Sequence, residues 1–275
     1  MTSLTTVLPA DPPVRACRCG APLVGVAIPD AAVRVLYPTQ CGRCQAAADA
    51  AAAAATARPK AARVLRVPAR YAEASLANFP PRLSPAAGRE PAHDPATTNS
   101  RDTVASRYAR LHQLAVRYCG NWEAHRAPAT RFPAVVLLLG SPGSGKTWLA
   151  YAMARAIAET TGDVAVALTL SAAVKGIRET WRKDHPTTER AALARLTRPP
   201  LLVLDDVSRH AFTGDPWGHL FDILAERESE LRPTIITSNE PMPVLAEFLG
   251  APILSRAAGN VWTFPSVDLR MEATP

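Results

Sequence analysis

From about residue 101 onward, short continuous apolar runs alternate with segments of helical period. The runs fall at 135–139, 164–168, 201–204, 234–237 and 261–264. Runs this short, without polar alternation, suit strands buried on both faces. A helix predicted over Arg101–Cys119 carries Val104, Tyr108, Leu111, Leu114 and Ala115 on one side. Further helices are predicted at 146–159, 171–183, 188–196, 216–230, 244–249 and 253–258. Buried strands joined by helices imply an α/β fold with a parallel sheet covered on both faces.

The first hundred residues break this pattern. Residues 1–44 hold four cysteines and several prolines, and form one predicted module. Residues 45–66 are alanine-rich up to Ala57 and then basic, with Arg58, Lys60, Arg63 and Arg66. Alanine favours a short helical spacer, and a structureless linker of drifting composition is the alternative. Residues 67–275 form the α/β domain. Within it, the five prolines and polar residues of 80–99 predict a loop or mobile insertion over roughly 80–100.

The run Ala134–Leu139 leads directly into Gly140, Ser141, Pro142, Gly143, Ser144, Gly145, Lys146 and Thr147. This fits the phosphate-cradling pattern Gly-x-x-x-x-Gly-Lys-[Ser/Thr]. Glycine lets successive backbone N–H groups approach phosphate oxygens, where a β-carbon at Gly143 or Gly145 would crowd them. Lys146 carries positive charge to the β- and γ-phosphates, and the Thr147 hydroxyl suits Mg²⁺. The helix that follows presents its positive end to the anion.

Leu201–Leu204 ends in Asp205 and Asp206. An acid at the C-terminal end of a buried strand sits on the edge where ligands bind in open α/β sheets. Asp205 is placed to hold Mg²⁺ with Thr147, and Asp206 to orient or deprotonate the attacking water. Many ATPases carry Glu at that second position. Asp is one methylene shorter, so slow hydrolysis is expected. Thr234–Thr237 ends in Ser238 and Asn239, and the Asn239 amide can reach a γ-phosphate or its water.

Cys17-Arg-Cys19-Gly and Cys41-Gly-Arg-Cys44 form two knuckles about twenty residues apart. Four thiolates at this spacing can converge on Zn²⁺, although the first pair is Cys-x-Cys rather than the commoner Cys-x-x-Cys. A metal suits a segment too short to bury much core. Cys119 reads as an isolated thiol.

The chain has 275 residues, 48% of them hydrophobic, and a net charge of +7. That balance is compatible with a polyanionic partner. No apolar run approaches the roughly 20 residues of a membrane span, and no signal-like start is evident. A soluble, cytoplasmic protein without membrane contact is expected.

The order of these motifs, with Leu254-Ser-Arg256 after them and Val67-Pro-Ala-Arg-Tyr…Phe79 before them, resembles the AAA+ ATPases. Within these it looks like the group of DnaC-type helicase loaders and IstB-type transposition helpers. The resemblance covers roughly residues 67–265. It implies a five-stranded AAA+ sheet, ATP with Mg²⁺, and homo-oligomeric assembly into a ring or spiral. Arg256 matches the arginine finger, which reaches a neighbouring subunit's γ-phosphate, so hydrolysis would require assembly. The chain ends soon after residue 265, which implies that the helical lid of many AAA+ proteins and a sensor-2 arginine are missing. Lys175, Arg178 and Arg182 fall at i, i+3 and i+7, with Trp181 beside them. In loaders and initiators this region carries single-stranded DNA contacts, and backbone charge with aromatic stacking is the physics of such binding. The function implied is an ATP-hydrolysing loader of a replicative helicase onto single-stranded DNA, with the zinc module gripping the helicase. Two alternatives remain: a transposition helper acting on duplex DNA, and a nucleotide-binding adaptor that hardly hydrolyses ATP.

Overall fold

The computed structural model describes residues 15–23, 26–27, 35–36, 41–49, 52, 67–80, 83–90, 102–126, 135–208, 217–257 and 259–271. The chain divides into two compact units, Met1–Thr56 and Ala57–Pro275. The first contains two antiparallel strand pairs, β1 (Arg15–Ala16) with β2 (Pro22–Leu23) and β3 (Val26–Ala27) with β4 (Val35–Leu36). Helix α1 follows over 42–49. Most of the linker of 45–66 lies outside the described residues.

The second unit is built on β5 (Val135–Leu139), β6 (Ala165–Thr169), β7 (Leu201–Asp205), β8 (Thr234–Ser238) and β9 (Val261–Thr263). They form one parallel sheet in the order β6-β7-β8-β5-β9. Alternation along β5 explains why every residue in it is apolar. Val136 and Leu138 enter one core with Tyr108 and Leu111 of α3 (Val104–Gly120), Trp122 of α4 (Trp122–Arg126), and Leu149, Met153 and Ile157 of α5 (Lys146–Thr161). Val135, Leu137 and Leu139 enter the opposite core. That core is completed by α6 (Leu170–Glu179), α7 (Glu189–Thr197), α8 (Trp217–Ser229) and α9 (Met242–Arg256). Among the described residues, no helix is long and apolar enough to cross a membrane.

Two local departures from the sequence expectation have physical causes. Pro85–Arg89 form a short helix, α2, within the segment expected to be a loop. Pro85 occupies the first turn and Ser84 caps it by accepting from the Ala87 N–H at 3.2 Å. Helix α6 ends at Glu179 rather than near Lys183. There the Thr180 hydroxyl donates to the Ile177 carbonyl, and the Trp181 and Arg182 N–H groups bond to carbonyls three residues back. Arg182 therefore lies in the turn after α6 and does not share a helix face with Lys175 and Arg178. The two helices expected at 244–249 and 253–258 are both present, because the single span of α9 is divided at Gly250, whose φ of 77° and ψ of 157° are non-helical.

Arg227 ties the sheet's base together. It is fully buried and donates to the carbonyls of Leu196, Thr197, Pro199 and Pro233 and to the Thr234 hydroxyl. Burial pushes its pKa down to about 9. These contacts join α8 to the end of α7 and the start of β8.

Candidate nucleotide site and metal centre

Gly140–Thr147 connects β5 to α5 at the C-terminal edge of the sheet. Gly145 is the residue before α5 and has φ 91°. Gly143 has φ 81°. Neither conformation suits an L side chain. A β-carbon at Gly143 would come within 1.9 Å of an Asp268 carboxylate oxygen, and one at Gly145 within 3.2 Å of Leu269. The glycines therefore also make room for the segment after β9. That segment is pinned by the Leu269 N–H, which donates to the Gly143 carbonyl at 3.1 Å. The Tyr108 hydroxyl donates to the Ser144 carbonyl at 2.9 Å, so α3 supports the loop from below.

The Lys146 ammonium donates to the carbonyls of Gly140 and Ser141 at 2.8 and 2.7 Å. Burial pulls its pKa down to about 8, opposed by Asp205 and Asp206. Thr147 begins the helix with its hydroxyl bonded to Asp205 Oδ1 at 2.8 Å. The Thr237 hydroxyl donates to the same oxygen at 2.6 Å and accepts from the Asp206 N–H at 2.9 Å. Thus Thr237 of β8 holds the Asp205 carboxylate and the Asp206 backbone together. Asp206 has φ 55°, and its Oδ1 accepts from the Asn239 side-chain amide at 3.0 Å. A buried carboxylate beside a threonine hydroxyl is the hard oxygen donor set that suits Mg²⁺.

Lys146, Thr147, Asp205, Asp206, Thr237 and Asn239 border one cavity of about 720 Å³. That volume lies within the range of small-molecule sites. The structure thus brings together all the motif residues expected to meet here, except for Arg256. Arg256 is the last residue of α9, and its side chain lies outside the described residues. Sequence reasoning missed Thr237, whose bridging role depends on β7 and β8 being neighbours. It also missed Arg70, Tyr71, Trp148 and Tyr151 on the cavity wall, and Arg270 of the C-terminal segment. Arg270 stands close enough to Lys146 to help depress its pKa.

In the first unit, Cys17, Cys19, Cys41 and Cys44 bring their sulfur atoms within 4.8 Å of one another. Cys19 Sγ and Cys41 Sγ are 3.6 Å apart. A zinc tetrahedron with bonds of about 2.3 Å has edges of about 3.8 Å, so the four residues fit the ion. Gly20, at φ 83°, closes the first knuckle with its N–H on the Cys17 carbonyl. The second knuckle is the first turn of α1, with the Gln45 N–H on the Cys41 carbonyl. Hydrogen bonding from the Ala21 backbone, then from the other thiols, lowers Cys19 to about 6, which favours a thiolate. Cys119 is separate, and burial raises it to about 12.

The proposed DNA-contact residues do not lie on one helix face. Lys175 and Arg178 lie on α6 and Arg182 in the following turn. Trp181 is 57% exposed, with its indole N–H on Glu189 at 2.9 Å and its ring 5.9 Å from that of His219.

Residues 130–260 match the model of the family described as IstB-like ATP binding protein. A Mycobacterium tuberculosis relative, an ATP-binding protein in an insertion sequence, is 32% identical over 126 residues. That match covers 42% of this chain and 47% of the relative, so the chain spans about half the length of the curated relative it matches. This matched stretch and its flanks share the fold of the DnaC helicase loader. The identity is 20%, the TM-score 0.53, and the coverage 72% of this chain and 99% of that one. Domain III of the Thermotoga maritima replication initiation protein DnaA gives a TM-score of 0.50 at 16% identity, covering 74% of this chain and 72% of that one. The second unit is therefore a P-loop AAA+ fold like that of DnaC.

Proposed function

We propose that the protein is a Mg²⁺-dependent ATPase that loads a replicative helicase onto single-stranded DNA. The observation that carries the ATPase reading is the convergence of Lys146, Thr147, Asp205, Asp206 and Asn239 on one cavity. Lys146 and the loop amides hold the phosphates, and Thr147 and Asp205 hold Mg²⁺. Asp206, aimed by Asn239, orients the attacking water. Its short side chain makes hydrolysis slow, and Arg256 of a neighbouring subunit completes the site in a ring or spiral. Lys175, Arg178, Trp181 and Arg182 supply phosphate contacts and a stacking surface for the strand.

The separate cysteine unit supports the loader reading, as a zinc module with its own compact fold that can grip the helicase. A second reading, a transposition helper on duplex DNA, is favoured by the family match and by the insertion-sequence relative. Pull-down with the host's replicative helicase, comparing the full chain with a form lacking residues 1–66, tests the choice. Capture that is lost on truncation supports the loader, and capture of a transposase instead supports the helper.

A further inference from the structure

One cation on the cavity wall has no part in the motif chemistry. Arg70 lies in the entry segment, in a single turn of tight helix over Ala69–Tyr71. It borders the same cavity as Lys146 and Asp205. Its guanidinium lies 5.3 Å from the centre of the Tyr71 ring. Among the described residues it makes no ion pair, unlike Arg107, Arg110, Arg126 and Arg232.

The Tyr71 ring is itself fixed. It stacks on Tyr151 at 5.2 Å and 18°, and meets the edge of Trp148 at 6.5 Å and 78°. Both partners belong to α5, the helix that begins with Lys146 and Thr147. Tyr151 lies within electrostatic reach of Asp205. Burial first, and that carboxylate second, raise its pKa to about 12. The stack therefore stands on the carboxylate side of α5, where a Mg²⁺-bound terminal phosphate would lie. A guanidinium held against an aromatic face loses less freedom on binding an anion than a free surface arginine.

We infer that Arg70 binds the terminal phosphate of the bound nucleoside triphosphate, with Tyr71 as its positioning residue. This rests on the ATPase reading above. It gives the entry segment a chemical role: the segment reports from within the same subunit whether the third phosphate is present. The aromatic wall could instead stack on the nucleobase, and the test separates the two.

The experiment titrates the full chain, in excess Mg²⁺, with ATP, ADP and inorganic tripolyphosphate, which has no base. Arg70→Ala should weaken ATP and tripolyphosphate by about 10- to 100-fold, the usual effect of a charge-assisted hydrogen bond, and ADP by less than about threefold. Arg70→Lys should recover part of the loss. Tyr71→Ala should reproduce the pattern, and Tyr71→Phe should not. Arg70 is exposed, so its removal should leave the melting temperature almost unchanged. Equal losses of ATP and ADP, or unaltered tripolyphosphate binding, would assign Arg70 and Tyr71 to the base and overturn the inference. An Arg70→Ala protein that binds like the wild type, while Lys146→Ala binds nothing, would overturn it and leave the ATPase reading intact. A wild type that binds neither ATP nor tripolyphosphate would end both.

Discussion

The phosphate cradle rests on the edge of a five-stranded sheet with an extensive apolar core on each face, whereas among the described residues the thiol cluster has almost no core to rest on. In the first unit, Cys17 alone is buried among the residues whose exposure is described. There the chemical site is also the structural centre. In the second unit, the charged site residues stand outside both apolar core clusters. The same kind of substitution should therefore cost function in one unit and structure in the other.

The largest test of that contrast is metal removal. Structural zinc contributes about 10–16 kcal/mol of apparent binding energy in small modules at neutral pH. Metal analysis of protein purified without chelator should give about one Zn²⁺ per chain. A strong chelator, or Cys17→Ser, should unfold the first unit, seen as loss of its dispersed NMR amide signals, while ATP affinity stays unchanged. A parallel loss of ATP binding would break the comparison.

Lys146→Ala comes next and has the opposite character. It should reduce ATP affinity at least 100-fold, because the buried ammonium is the loop's own cation for the phosphates. The melting temperature should shift by no more than a few degrees, since the change also removes a charge that burial disfavours. Steady-state hydrolysis should fall to background, as it should in Arg256→Ala if the neighbour's guanidinium completes the site.

Thr237→Val should have a smaller effect that mixes the two outcomes. It keeps the shape but removes a donor to Asp205 and the acceptor for the Asp206 N–H. A stability loss of about 1–3 kcal/mol by denaturant unfolding is expected. Hydrolysis should fall more than ATP affinity, because Asp206 loses its anchor. Equal falls would mean that the Thr237 bridge serves binding alone.

These residues also show where the sequence was readable. The loop from Gly140 to Thr147 is contiguous, so its chemistry appears in eight letters. Asp205 and Asp206 announce themselves at the end of an apolar run. The cysteine knuckles are legible because cysteine at that spacing has few other uses. Thr237, by contrast, is an ordinary strand residue until β8 is laid beside β7. Arg70, Arg270 and Asp268 reach the cradle only because the entry and C-terminal segments fold over it, and no local pattern marks such contacts. The early end of α6 depended on a Thr180 side-chain bond that competes with the next helical turn. Nothing in the sequence around Arg227 marks the five acceptors inside the unit that claim it.

The smallest predicted effect is a pH dependence that belongs to the cradle alone. The Lys146 pKa is lowered to about 8, against about 10.4 for an unperturbed lysine. Since the unfolded chain holds this proton more tightly, the burial penalty is fully present below pH 8. It is relieved between about pH 8 and 10.4, where this residue makes stability rise with pH. Phosphate binding has the reverse sign. It favours the ammonium, so above pH 8 ATP must draw a proton onto Lys146, and apparent affinity should fall by up to about tenfold per pH unit. Calorimetry in two buffers of different ionisation enthalpy should show proton uptake on ATP binding at pH 9 and almost none at pH 7. Lys146→Arg stays charged throughout and should show no uptake at either pH. Uptake that persists in Lys146→Arg would move the titrating group elsewhere in the cavity and weaken the case for a buried ammonium as the loop's cation.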